Sequence, residues 1–391
     1  MEIKRRVFVH LESNRGYGRD LLKGIYEFNN RHTHWEIIYE SAYYLQSERL
    51  KNDVDAIRSL QPDGCILEHH ENMEELLKMG IPTVQTTSMK QYANVPNIIG
   101  NYDLDGKMAC DYFLKLGFRN LAFFGADFLH FSVGRHQSFR HYASQHDIEV
   151  LANIFGQQDT RIRFSERFHV PLQEWLLSLP KPVGILACND ELGQVLINAC
   201  SVAGIKVPYE VAVLGVDNDE LLCNITVPNL SSISRNLRAA SSTLCALLDQ
   251  MMNGESVRQY SVQVNPVEVV VRQSTDTIAS DDSEVIKAIA FIHENTHRSI
   301  SVEEVAQVTT ISRRQLANRF RVVTGTSIHE EIQFRRLQKF KQLLINEKRS
   351  IKEIAYLMGF HNIAHVSRWF AAFEGQTPTQ WRKERNSSSL T

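Results

Sequence analysis

Apolar and polar positions alternate in blocks along the first 275 residues. The short runs "VFVHL" (7–11), "WEIIYE" (35–40), "GCILE" (64–68), "TVQTT" (83–87), "LAFFGA" (121–126), "VGILAC" (183–188) and "VAVLGV" (211–216) predict strands buried on both faces. Helical periodicity runs between them over 20–31, 103–116, 135–146, 166–179, 190–203 and 237–253. Strands alternating with helices of that length predict βαβ units and parallel sheets. The whole is too long for one six-stranded sheet. A change of character near Ile98-Ile99-Gly100-Asn101 predicts two lobes with a cleft between them. Ligands in such sheets bind beyond the carboxyl ends of the strands, so residues that end strands become the candidates.

The pattern changes after residue 275. "TDTIASDDS" is polar without an apolar period, which places a linker at 276–283 between a domain at 1–275 and another at 284–391. The second domain is helical throughout, with Pro378 as its one proline, and it repeats itself. "SVEEVAQVTTISRRQLANRFRVVTG" (301–325) and "SIKEIAYLMGFHNIAHVSRWFAAFEG" (350–375) each open with Ser followed three residues later by Glu, a capping box. Each then sets a small residue on the buried face (Ala306, Ala355), a turn position (Thr310, Gly359) and a new cap (Ser312, Asn362). The second helices carry Leu316 and Phe320, or Val366 and Phe370, on their apolar side and a polar, basic face opposite. This is a helix-turn-helix written twice, its second helices fit for a major groove. Ile328, Ile332, Leu337, Phe340 and Leu344 form one stripe between them, a rod of ~27 Å if about 18 residues are helical. Trp369 and Phe373 read as core of this bundle.

Composition sharpens the division. The net charge of −2 conceals 17 Lys+Arg against 10 Asp+Glu from Glu284 onward, and 26 against 35 before it. An acidic body joined to a basic end suggests that the second domain meets a polyanion. No apolar run approaches the ~20 residues of a membrane span, and no signal-peptide pattern opens the chain, so a cytoplasmic protein without membrane contact is expected. Six cysteines are scattered without CxxC pairing, several of them in apolar runs, which favours reduced, buried thiols.

The opening loop carries the first candidate chemistry. Gly16-Tyr17-Gly18 follows a strand and precedes a helix, with Glu40 further on, as in a dinucleotide-binding unit. The third glycine position is Leu21, and Arg19 and Asp20 are read as opening the helix, where a carboxylate competes with a pyrophosphate. An NAD-dependent Rossmann-type enzyme with a helical appendage therefore stands only as the rival reading. His69-His70-Glu71 follows a strand but lacks a third metal ligand at helical spacing, and no G-x-S-x-G or H-E-x-x-H occurs. Phe131 and Phe164 could stack on the ring face of a ligand, but core or lobe packing is the better reading of each.

Two resemblances follow from these motifs. Residues 284–385, above all "GFHNIAHVSRWFAAFEGQTPTQWR", resemble the DNA-binding domain of the AraC/XylS transcription regulators. That resemblance implies groove-facing roles for Arg314, Ala317 and Asn318 in the first repeat, and for Ile363, Ala364, His365 and Arg368 in the second. Arg368 could fork onto guanine, Asn318 pair with adenine, and Ile363 and Ala364 meet thymine methyls. Thr310 stands where that family has glycine; a turn needing φ > 0 there would cost of order 1–2 kcal/mol and force remodelling.

"VGRHQSF" (133–139), "ILACNDELG" (185–193) and "VLGVDNDE" (213–220) are similar to the ligand domains of lactose-repressor and periplasmic sugar-binding proteins. Arg135, Asn189, Asp190 and Asp217 then fall on ligand positions, with Asp217 open to the alternative of capping a helix near Glu220. The combined order, with "NRGYGR" (14–19) and "RQSTD" (272–276), resembles the xylose operon regulators, and adds Asn14, Tyr17 and Arg19 to the cleft. The resemblance implies an α/β two-lobed, periplasmic-binding-protein-like sensor followed by an all-α domain with two helix-turn-helix motifs. It implies a sugar-responsive transcription regulator, an activator of catabolic genes, with xylose as effector. Operator DNA, RNA polymerase and a second copy of the chain are its implied partners, and no cofactor or metal is implied. A repressor, or a regulator answering another pentose, hexose or uronate, is the nearer alternative.

Overall fold

The computed structural model describes residues 4–41, 54–68, 72–87, 90–156, 166–257, 261–346, 349–360 and 362–388. His69, His70, Glu71 and Phe164, singled out above, and residue 361 of the quoted second repeat lie outside the described residues. The chain divides into two compact units, Met1–Asp276 and Thr277–Thr391.

The first unit holds two six-stranded sheets. One contains β1 (Arg6–Leu11), β2 (Glu36–Ser41), β3 (Gly64–Leu67), β4 (Thr83–Gln85), β5 (Asn97–Gly100) and, from far along the chain, β11 (Ser261–Val264). Their order is β11-β5-β4-β3-β1-β2, all parallel. The other contains β6 (Asn120–Ala126), β7 (Val150–Phe155), β8 (Val183–Ala187), β9 (Val211–Val216), β10 (Ser231–Arg235) and β12 (Pro266–Val270). Its order is β12-β10-β9-β8-β6-β7, with only β12 antiparallel to its neighbour. β8 and β9 are buried at every residue, as strands covered by helices on both faces must be.

The boundary expected near Ile98 lies at the end of β5, after which the helix Tyr102–Lys115 begins the second sheet's lobe. The chain then crosses twice more. After β10 the helix Leu237–Met252 returns to pack on Gly16–Phe28, burying Leu237, Leu244 and Leu248 among Val7, Val9, Leu21 and Ile25. After β11 it crosses back into β12. The three crossings are tied by asparagines: Asn101 Nδ2 donates to Asn265 Oδ1 (2.9 Å), and Asn265 N–H to Asn236 Oδ1 (2.7 Å). All six cysteines are buried and free.

The second unit is helical: Ser283–Glu294, Val302–Gln307, Arg313–Thr324, Ile328–Asn346, Ile351–Leu357, Ile363–Glu374 and Pro378–Ser388. The segment expected to be a linker is partly built into it, since Asp282 caps the first helix through the amides of Glu284 and Val285. The rod Ile328–Asn346 has 19 residues, ~28 Å at 1.5 Å per residue. Its stripe is buried as expected: Leu337, Phe340 and Leu344 meet Ile354, Val366, Phe370 and Trp381. Trp369 packs against this cluster, but Phe373 is half exposed, so only one of that aromatic pair is core.

Candidate functional site

Strand ends from both sheets converge on one cavity of about 240 Å³. Glu12, Glu68, Thr87, Gly100 and Val264 follow or close β1, β3, β4, β5 and β11; Phe128, Asn189, Asp217 and Arg235 follow or close β6, β8, β9 and β10. Of the residues expected there, Tyr17, Arg135, Asn189, Asp190 and Asp217 line it, and Asn14 and Arg19 do not. Asn14 is exposed on the loop, and its carbonyl accepts from Arg19 Nη1 (2.8 Å). The Arg19 guanidinium is drawn instead into an ion pair with Asp219.

The glycines of the opening loop answer to packing. A Cβ on Gly18 would fall 1.7 Å from the Glu12 carbonyl oxygen, and one on Gly16 2.6 Å from Asp219 Cβ. Neither position leaves room for a side chain, so backbone approach accounts for Gly-x-Gly without a phosphate. The helix opens at Gly16 rather than at Arg19, and its first turn carries no acid.

Arg135, Arg235 and Asp217 line the cavity, and Asp105, fully buried, touches both arginines without lining it. Arg135, 1 % exposed, donates to Asp105 Oδ2 (2.8 Å), to the Cys188 carbonyl and to Asp217 Oδ1 (3.2 Å). Arg235 reaches the same Asp217 oxygen (3.2 Å) and stands 3.6 Å from Asp105 Oδ1. Burial works against the Arg135 charge, but Asp217 and Asp105 outweigh it and raise its pKa. Burial likewise pushes Asp217 up, and Arg135 and Arg235 overcome it, holding the carboxyl below its ordinary value. Asp217 is held at φ +98°, a conformation that Asp tolerates better than most residues. It caps no helix: Asp219 is the N-cap of Glu220–Ile225.

The other expected residues are already engaged. Asp190 accepts from Ser232 Oγ and from the Asp219 amide (2.6 Å), and burial pushes its carboxyl well above the usual range. Asn189 caps Asp190–Val202 through the Leu192 amide (3.1 Å) and donates to Glu191. Tyr17 donates to the Thr86 carbonyl (2.7 Å), and burial raises its pKa. Glu68 accepts from the Glu12 amide (2.8 Å); burial raises its carboxyl too. Phe131 and Tyr102 lie beside the Arg135 guanidinium at 5.3 and 5.7 Å. Arranged this way, the cavity offers carboxylate acceptors, orienting guanidiniums and ring faces, the groups a polyhydroxylated solute can use. Arg235, Asp105 and Glu68 were not anticipated. Only Glu68, ending an apolar strand run, had a signal that could have found it.

In the second unit both recognition helices are capped as expected, by Ser312 with Gln315 and by Asn362. Each ends on a left-handed glycine, Gly325 (φ +75°) and Gly375 (φ +72°). Leu316, Phe320, Val366 and Phe370 turn inward, which leaves Arg314, Ala317, Asn318, Ile363, Ala364, His365 and Arg368 exposed. Thr310, however, does not adopt positive φ. The first repeat is one residue shorter than the second between its caps: Ser301 to Ser312 against Ser350 to Asn362. Its turn therefore closes without a left-handed residue, and the expected strain is absent.

Comparison with known proteins places both units. Residues 110–275 match the model of the periplasmic binding protein-like domain, and 305–384 that of a helix-turn-helix domain. The xylose operon regulatory protein of Escherichia coli K12 is 26% identical over 390 residues, 97% of each chain. That of Haemophilus influenzae is 27% identical over 387 residues, 96% of this chain and 98% of the other. A solved structure of a xylose-binding transcription activator shares the fold at TM-score 0.76 and 24% identity, covering 98% of this chain and 99% of that one. A dimeric lac repressor covers 71% of this chain at TM-score 0.55.

Proposed function

From the premise that this chain is a full-length homologue of the xylose operon regulators, a periplasmic-binding-protein-like sensor joined to a helix-turn-helix reader, we propose that it activates genes of sugar catabolism in response to xylose. The relatives are transcription regulators, which removes the NAD-dependent enzyme from consideration. The observation that carries the sensor reading is the meeting of Asp217 and Arg235, at strand ends, with Arg135, from the helix His130–Ser144, around one cavity. Asp217 keeps one carboxylate oxygen, Oδ2, outside its two arginine contacts, and vicinal hydroxyls suit such an acceptor. Arg314, Ala317 and Asn318, with Ile363, Ala364, His365 and Arg368, would read operator DNA from the two exposed helix faces. The protein would work as a homodimer that engages RNA polymerase in the cytoplasm; among the described residues no helix is long and apolar enough to cross a membrane.

The test uses the parent chain. Its melting temperature is measured with xylose, arabinose, ribose, glucose and galacturonate, beside DNA mobility shifts with and without each sugar. A bound effector raises stability by RT ln(1 + [L]/Kd), about 2.7 kcal/mol at a hundredfold excess over Kd. Xylose is expected to give the largest rise and to change the DNA shift. A chain that none of these sugars stabilises would overturn the effector reading, while leaving DNA binding to stand on its own assay.

A further inference from the structure

The first recognition helix is gripped from outside its own motif. Asp282, a few residues past the boundary between the two units, caps the helix Ser283–Glu294 with Oδ1. The same carboxylate takes a two-point ion pair from Arg319, with Nε to Oδ2 and Nη2 to Oδ1 both at 2.6 Å. Arg319 belongs to the first recognition helix and directly follows Asn318. Two residues beyond Asp282, the carboxylate of Glu284, 7 % exposed, accepts the amide of Thr310 in the turn that launches that helix. One short segment thus fixes both the entry and the body of a single DNA-reading element. A planar guanidinium fork on a carboxylate sets orientation as well as distance, which an ordinary surface ion pair does not.

We infer that Asp282 and Glu284 are positioning residues: they set the angle at which the first recognition helix meets its bases, and so tie that helix's reading to the segment leaving the sensor. The inference rests on the proposal that this helix reads bases through Arg314, Ala317 and Asn318. In the second repeat the turn amides pair with the repeat's own carbonyls and Arg336 of the rod holds the Met358 carbonyl, so its reading is independent of this clasp.

The experiment uses the full-length chain and duplexes that the parent selects from a random pool. Base preference is profiled position by position for the parent and for each variant. Arg314→Ala and Asn318→Ala first mark the positions read by the first helix. Asp282→Asn keeps a good helix cap but removes the charge that holds Arg319; Arg319→Gln removes the partner and leaves the cap untouched. Each is expected to weaken binding about threefold to tenfold, with the changed preference confined to the marked positions. The double variant should lose no more than either single one, because both break the same pair. Glu284→Ala should disturb the same positions, and Glu284→Gln, which still offers an acceptor to the Thr310 amide, should restore them.

Uniform loss at all positions would make Arg319 a phosphate contact and overturn the inference. So would an unchanged profile, or a double variant in which the two losses add. If Arg314→Ala and Asn318→Ala mark no positions, it is the underlying reading of the first helix that fails. If they mark positions and Asp282→Asn leaves these unmoved, the positioning role alone is wrong.

Discussion

The two helix-turn-helix repeats share their caps, their buried pairs and their closing glycines, yet they close their turns by different means. In the second repeat Gly359 takes φ +72°; its amide donates to the Tyr356 carbonyl (3.0 Å) and the Phe360 amide to the Ala355 carbonyl (2.9 Å). That pair of bonds is a Schellman closure, complete within the motif. In the first repeat the Thr309 amide makes the equivalent inner bond to Ala306 (3.1 Å), but the outer amide, Thr310, turns to the Glu284 carboxylate. The missing residue between caps is what changes the outcome. With no left-handed position available, the outer amide points away from its own helix and needs a donated acceptor. One repeat pairs both turn amides with its own carbonyls, although Arg336 of the rod holds its Met358 carbonyl (2.8 Å); the other needs a carboxylate from its neighbour to take a turn amide.

If the difference is confined to the turns, the cores must be equally demanding. Phe320 and Phe370 are both fully buried at matching positions of the two recognition helices. Phe320→Ala and Phe370→Ala should each cost about 3–5 kcal/mol. Unfolding of the helical unit can be followed by the fluorescence of Trp369 and Trp381 in the full chain. A loss for one variant smaller than about half that of the other would show that the repeats differ in packing, and the contrast of turns would no longer be the main distinction.

Exchanging the turn residues probes the contrast itself. Gly359→Thr should destabilise the unit by about 1–2 kcal/mol, because a β-branched residue is forced to a left-handed φ. Space is not the cause: a Cβ there meets only ordinary contacts, at 3.6 Å from Arg298 Cα and 3.7 Å from Ser299 N. Thr310→Gly should cost less than about 1 kcal/mol, through added freedom of the unfolded chain. Chemical denaturation of both variants measures this. Equal losses would mean that Thr310 matters in some way other than the one its geometry indicates.

How much of this was legible beforehand follows the range of the interactions. Parallel sheets, two lobes, caps and repeats were readable, since apolar runs and Ser-x-x-Glu spacings are local signals. The strands β5, β7, β10, β11 and β12 were not among the runs read: "SSISR", buried although mostly polar, and "SVQV", half covered at the sheet edge, carry too few apolar residues to mark a strand. With them went Arg235, which reaches Asp217 only because β10 and β9 are paired neighbours in the sheet. Asp105 sits on a helix face and meets Arg135 through the packing of Tyr102–Lys115 on His130–Ser144, a contact no spacing encodes. Asn14 and Arg19 show the opposite difference, where a motif placed residues in the cleft and an ion pair with Asp219, 200 residues along the chain, took one of them away. Thr310 shows a third: matching it to Gly359 by counting from the preceding alanine hid the one-residue difference in length.

The smallest expected effect separates the repeats by acid. Glu284 is held at about 2 by its hydrogen bonds from Lys287 and Thr310, below the ordinary 4.5. At Asp282 burial opposes ionisation, but Arg319 and the cap amides outweigh it and lower its carboxyl as well. A depressed carboxyl stabilises the fold fully above its unfolded pKa, and that stabilisation is lost as pH falls toward the folded value. Protection of the Thr310 amide against hydrogen exchange, corrected for intrinsic rate, should therefore decline between pH 4.5 and about 2. The Phe360 amide donates to a backbone carbonyl and has no titrating acceptor, so its protection should hold over the first part of that range. The box carboxylates Glu304 and Glu353 are both lowered, but Glu304 also pairs with Arg298 (2.7 Å), so Glu304→Gln, in which that loss no longer titrates, is the control. A Thr310 amide that keeps its protection as long as Phe360 would show that the Glu284 carboxylate is not what closes the first turn, and the two repeats would be closed by the backbone alone.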